Sequence, residues 1–173
     1  TNDDNLAEKM KMIANHGQSK RYYHKVTGCN SRLDSIQAAI LNVKLKYLDH
    51  YNSNRQKMAK TYDIGFGDVE HLSIPFRSPN STHVFHQYTL KTSYEYRDKL
   101  IKYLTKKEIP AMIYYPVPLY KQEAFSSYVP ENFSIENIEK LCNSVFSLPI
   151  HSEKENSQQD KIIDSVKSFF NSI

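Results

Sequence analysis

The run Gly28-Cys29-Asn30-Ser31-Arg32 stands immediately ahead of the strongest helical pattern in the chain. Backbone N–H groups at a helix start lack partners within the helix and carry the positive end of its dipole, so phosphate or carboxylate is favoured there. Asn30 adds an amide donor and Arg32 a planar cation that can grip two oxygens at once. The same residues also suit a local purpose, with Asn30 capping the helix and Arg32 facing solvent. A second group is Tyr114-Tyr115-Pro116-Val117-Pro118-Leu119. Rigid proline turns at strand ends present side chains to ligands, and two tyrosines offer hydroxyls and ring faces suited to sugars or nucleotides; packing in core and turn is the alternative. His16 and His24 flank a basic aromatic loop, where they either meet an anionic ligand or act as ordinary surface residues. His86 reads as a satisfied sheet residue. No Gly-rich phosphate loop, Gly-x-Ser-x-Gly elbow, His-Glu-x-x-His pair or carboxylate cluster occurs, and Cys29 and Cys142 lack metal-ligand spacing.

These residues need elements to hold them. Leu6, Met10 and Ile13, behind Asp3 and Asp4, predict a short amphipathic helix ending at Asn15-His16-Gly17, followed by an irregular stretch from Gln18 to Cys29. Leu33, Ile36, Ile40, Val43, Tyr47 and Tyr51 predict one long helix over 31–64, which no Gly or Pro interrupts through residue 64, capped by Asn30 or Ser31. Alternation predicts a strand over 83–92, and a helix follows over 94–107. A short strand over 111–115 stops at Pro116 and Pro118. Ser134 is expected to cap a helix to Asn143, residues 147–150 to be buried and extended, and residues 158–170 to form a closing amphipathic helix. The order predicts an α/β fold on a sheet of three or four strands, with the helical first 50 residues separate from the rest.

With 173 residues, 39% hydrophobic and 24% charged, the chain can build a globular core. It has neither the roughly 18 consecutive apolar residues of a membrane helix nor a secretory signal at Thr1-Asn2-Asp3-Asp4. The 23 Lys and Arg are interleaved with 19 Asp and Glu, so clusters such as Lys99, Lys102, Lys106 and Lys107 read as solvated helix faces rather than a nucleic-acid surface. Cysteine usage fits a reducing cytoplasm.

Four runs then carry a resemblance: Asn15-His16-Gly17; Gly28-Cys29-Asn30-Ser31-Arg32-Leu33-Asp34 with Gln37-Ala38-Ala39; Tyr115-Pro116-Val117-Pro118-Leu119; and Ser147-Leu148-Pro149-Ile150-His151. In this order they resemble the C-terminal half of the DegT-type (DegT/DnrJ/StrS) sugar aminotransferases. The resemblance implies an aspartate-aminotransferase-like fold, pyridoxal 5'-phosphate as cofactor, and transfer of an amino group from glutamate to a nucleotide-linked keto-sugar in polysaccharide biosynthesis. It implies a homodimer with a shared active site, in which Asn30 reaches the cofactor phosphate of the neighbouring subunit. Arg32, Tyr114 and Tyr115 would lie by the substrate, with His16 in a loop near it; relatives more often carry His where this chain has Tyr114. Residues 1–50 would be the end of the large cofactor domain with the start of the long helix, and 51–173 the small C-terminal domain. The Schiff-base lysine is expected upstream of Thr1, so the chain by itself is expected to be inactive. The alternatives are a sugar dehydratase of the same fold and a non-catalytic anion-binding dimerisation module.

Overall fold

The computed structural model describes residues 1–130, 133–153 and 156–173. The chain divides into two compact units, residues 1–48 and 49–173.

The first unit starts with α1 (Asp4–Ala14), whose cap is Asp3: its Oδ1 accepts from the Leu6 N–H at 3.0 Å. The helix closes through His16 and Gly17, both with positive φ, 58° and 74°. The expected irregular stretch contains a small antiparallel hairpin, β1 (Gln18–Lys20) and β2 (Tyr23–His24). The chain then returns to the end of α1, where Cys29 N–H donates to the Ile13 carbonyl, His16 N–H to Cys29, and Ser31 N–H to Ala14, each at 2.9 Å. Helix α2 (Ser35–Leu45) follows and, like α1, buries none of its residues fully.

Helix α3 (Leu48–Phe66) leads into the second unit. Its Met58, Ala59, Tyr62 and Phe66 point inward at helical spacing. They meet an antiparallel sheet in the order β3 (Leu72–Ser73), β4 (Tyr88–Thr92), β5 (Val145–Leu148), with Tyr88 opposite Leu148 and Leu90 opposite Phe146. Alternation along β4 buries Tyr88, Leu90 and Thr92. The helices α4 (Tyr94–Lys106) and α6 (Asn156–Phe170) add Leu100, Leu104, Ile162, Val166 and Phe169 to the same core. Each such side chain contributes about 1.5–3 kcal/mol by leaving water. Polar rivets hold α3 in place: the Tyr62 hydroxyl donates to the Pro149 carbonyl at 2.8 Å and Gln159 Nε2 to the Met58 carbonyl at 2.7 Å. Buried Arg97 of α4 donates to the Cys142 carbonyl at 3.0 Å, in the last turn of α5 (Glu136–Ser144), where a cation meets the negative end of the helix.

The mixed helix-and-sheet class is as the pattern predicts, but several elements differ. The single long helix is two, α2 and α3, and their break carries no Gly or Pro: Tyr47 N–H reaches the Lys44 carbonyl at 3.0 Å, an i to i+3 bond that interrupts the ladder. The apolar series runs on through the break, which is why periodicity reads it as continuous. The cap of α2 is Asp34, whose Oδ1 accepts from Gln37 N–H at 2.8 Å, so Asn30 and Ser31 lie outside the helix. The strand expected over 83–92 begins only at Tyr88. Ahead of it Phe85 has a φ of 51°, and the carbonyls of His83, Phe85 and His86 accept from Gln56 and Arg55 of α3 instead of a neighbouring strand. His86 is therefore not a sheet residue. Of 111–115 only Met112 pairs, exchanging both backbone bonds with Ser147. Ser134 does not cap α5; its hydroxyl turns to Glu139.

Candidate functional site

The chain's sequence candidates fall into two sets, one in each unit. In the first unit the return of residues 28–32 to the end of α1 gathers His16, Asn30 and Arg32. Asn15 and Asn30 form an isolated bridge, and the His16 carbonyl accepts from His24 Nδ1 at 2.7 Å, which fastens the hairpin to the turn. Arg32 Nε donates to Asn30 Oδ1 at 2.9 Å. That bond uses the acceptor end of the carboxamide and leaves the Asn30 Nδ2 donors and the terminal nitrogens of the guanidinium without a hydrogen-bond partner among the described residues. Among the described residues no carboxylate pairs with Arg32. The result is an exposed set of donors with no competing acid, suited to an anion. It differs from the expected arrangement in its source, because side-chain donors rather than the first turn of a helix supply the N–H groups.

In the second unit Tyr114 and Tyr115 follow the Met112 bridge and lie edge-to-face, ring centroids 5.8 Å apart. Tyr115 is 71% exposed and Tyr114 37%. Neither hydroxyl has a hydrogen-bond partner among the described residues, so both are available to donate or accept. Pro118 is buried and opens a 3-10 turn, Leu119–Lys121, followed by a second, Glu123–Tyr128.

Two polar clusters carry no signal in the local pattern. Around Glu139, Oε1 accepts from the Tyr120 hydroxyl at 2.8 Å and from Ser134 Oγ at 2.7 Å, while Oε2 meets Lys121 Nζ at 2.8 Å. Lys121, Ser134 and Tyr120 together hold the Glu139 carboxyl at about 2, well below the usual carboxylate range. The hydrogen bond to Glu139 raises Lys121 above its ordinary value. On α3, Asp63 takes a two-pronged bond from Arg77 and accepts from the Tyr88 hydroxyl at 2.8 Å. Burial first, and then that bond to Asp63, push the Tyr88 phenol up. The Arg77 guanidinium stacks on Phe85, 4.0 Å from the ring centre. Among the described residues no three His, Cys, Asp or Glu side chains gather to hold a metal ion, and no helix is long and apolar enough to cross a membrane.

Known proteins resemble this chain in sequence and fold. A relative from Geobacillus stearothermophilus described as a pleiotropic regulatory protein is 39% identical over 98% of this chain and 46% of its own length. The Streptomyces venezuelae dTDP-3-amino-3,4,6-trideoxy-alpha-D-glucose transaminase is 34% identical over 98% of this chain and 44% of its own. The crystal structure of S. venezuelae DesV in complex with a ketimine intermediate superposes with a TM-score of 0.92 at 34% identity, covering 100% of this chain and 46% of DesV. The chain thus spans about half the length of the curated relatives it matches. The family model of the DegT/DnrJ/EryC1/StrS aminotransferases matches residues 1–167, and the chain belongs to that family.

Proposed function

We propose that this chain is the C-terminal part of a homodimeric, cytoplasmic, pyridoxal 5'-phosphate-dependent aminotransferase that moves an amino group from glutamate to a nucleotide-linked keto-sugar, for polysaccharide biosynthesis. Residues 1–50 complete the large cofactor domain and residues 51–173 are the small C-terminal domain. The observation that carries the reading is the Arg32–Asn30 bond at 2.9 Å, in a family member whose relatives include a named sugar transaminase. With its oxygen already accepting from Arg32, Asn30 still has its two amide N–H donors to offer, the chemistry that a phosphate requires. The donor set therefore fits the cofactor phosphate, taken from the neighbouring subunit. Arg32 keeps its terminal nitrogens for an anionic group of the substrate. Tyr114 and Tyr115 orient the sugar through free hydroxyls and cover it with their rings, excluding water, and His16 lines the approach.

The cofactor, when bound, supplies the electron sink for amino-group transfer. Covalent anchoring and proton transfer at the reacting carbon fall to a lysine outside these donor sets; Lys9 and Lys11 lie on α1, a surface helix. The test is the absorption spectrum of the full-length protein before and after glutamate. A visible cofactor band that glutamate replaces with a near-ultraviolet one supports the reading. A band that glutamate leaves untouched turns it toward a sugar dehydratase of the same fold, and absence of any band toward an anion-binding dimerisation module.

A further inference from the structure

The segment bearing Tyr114 and Tyr115 is pinned at two places. Upstream, Met112 exchanges both of its backbone bonds with Ser147 of β5, at 3.0 and 2.7 Å. Downstream, Tyr120 and Lys121 are the adjacent residues that grip Glu139 of α5. Between the pins, Pro116 and Pro118 fix two φ angles, so where the second pin sits decides where the two tyrosines are held. The pin is built from several groups. The Tyr120 hydroxyl donates to Glu139 and accepts the Ile135 N–H at 3.1 Å, while its ring stands edge-on against Phe133, centroids 5.2 Å apart. Ser134 turns its hydroxyl to the same carboxylate oxygen. One carboxylate thus gathers three side chains from two stretches of chain that lack regular pairing of their own.

We propose that Glu139 is a positioning residue: by holding Tyr120 and Lys121 it sets the place of Tyr114 and Tyr115 against the nucleotide-sugar. The inference rests on the reading of that segment as the substrate side of the site. A competing role is purely local, because an acid in the first turns of α5 also stabilises that helix through its dipole.

The two roles separate in the full-length enzyme. Glu139→Ala, Glu139→Gln and Tyr120→Phe are compared by hydrogen exchange at the Lys121 and Gln122 amides, which close the 3-10 turn onto Pro118 and Leu119, and by steady-state kinetics. Positioning predicts faster exchange at those amides in Glu139→Ala and Tyr120→Phe, with β4 and β5 unchanged. It also predicts a KM for the nucleotide-sugar raised on the order of tenfold while kcat moves little. Glu139→Gln keeps an acceptor for Tyr120 and Ser134 and recovers most of the loss. Acceleration confined to α5, or a loosened turn with unchanged KM, overturns the inference. Equilibrium binding of dTDP-glucose and UDP-N-acetylglucosamine supplies the same comparison without turnover: affinity unchanged in Glu139→Ala overturns positioning even where the unmodified protein shows its cofactor band. Absence of that band in the unmodified protein is instead the failure of the proposed function.

Discussion

Asn30 is exposed and, among the described residues, bonds through its side chain only to Arg32, so its replacement separates a ligand role from a folding role. Asn30→Ala in the full-length protein removes one hydrogen bond to a charged group, worth about 1.5–3 kcal/mol, and weakens cofactor retention about ten- to hundredfold. The melting temperature of the cofactor-free protein stays nearly unchanged, because surface substitutions of this kind fall within about 0.5 kcal/mol. Dialysis against buffer with absorbance monitoring reads the first effect and calorimetry the second. Glu139 offers a pH test. Its folded carboxyl titrates at about 2, against an ordinary 4.5, so the folded state favours the ionised form. The stabilisation is complete above the ordinary value and is lost as pH falls from about 4.5 through 2. The stability difference between the native protein and Glu139→Gln is therefore constant from neutral pH down to about 5 and shrinks only below it. A difference that changes between pH 6 and 8 refutes the assignment.

At the scale of elements, the closure of the first unit depends on backbone approaching backbone. A methyl on Gly28 would stand 2.2 Å from the Gly17 nitrogen and 2.5 Å from the Ile13 carbonyl oxygen, with no flexible side chain to yield. Gly17 itself has a φ of 74° and the Val26 carbonyl against it. Gly28→Ala is accordingly expected to release residues 28–32 from α1. Amide exchange at His16, Cys29 and Ser31 would rise together while the second unit melts as before; unchanged protection at those amides refutes this. Local sequence made α1, α4 and α6 legible, since caps and apolar spacing are written within each segment, whereas the expected extended run over 147–150 meets β5 only at Ser147 and Leu148. The α2–α3 break leaves no mark in the sequence because a single i to i+3 bond needs no special residue. Of the strand expected over 83–92, residues 83–87 are not strand because Arg55 and Gln56, some thirty residues upstream, supply the partners that a neighbouring strand would have supplied. The Glu139 cluster was invisible for the same reason: Tyr120 and Glu139 meet only in the folded chain.

Over the whole molecule, apolar side chains are distributed unevenly. Helix α2 leaves Ile36, Ile40, Leu41 and Val43 more than half exposed, and α1 adds Met10 at 57%. Exposed apolar surface of this kind favours association with other apolar surfaces. The 173-residue chain expressed alone is expected to bind a hydrophobic dye strongly and to self-associate. Ile40→Glu should reduce both without lowering the melting temperature of the second unit; unaltered dye binding in that variant would place the exposed surface elsewhere. The core around Tyr62, Tyr88 and Phe146, by contrast, takes no buried side chain from before Met58 among the described residues. The stretch 49–173 therefore specifies its own interior. Exchanged between relatives, such a stretch would carry Tyr114, Tyr115 and the Glu139 cluster together as one inherited piece, so that any preference they confer would move in a block rather than one residue at a time.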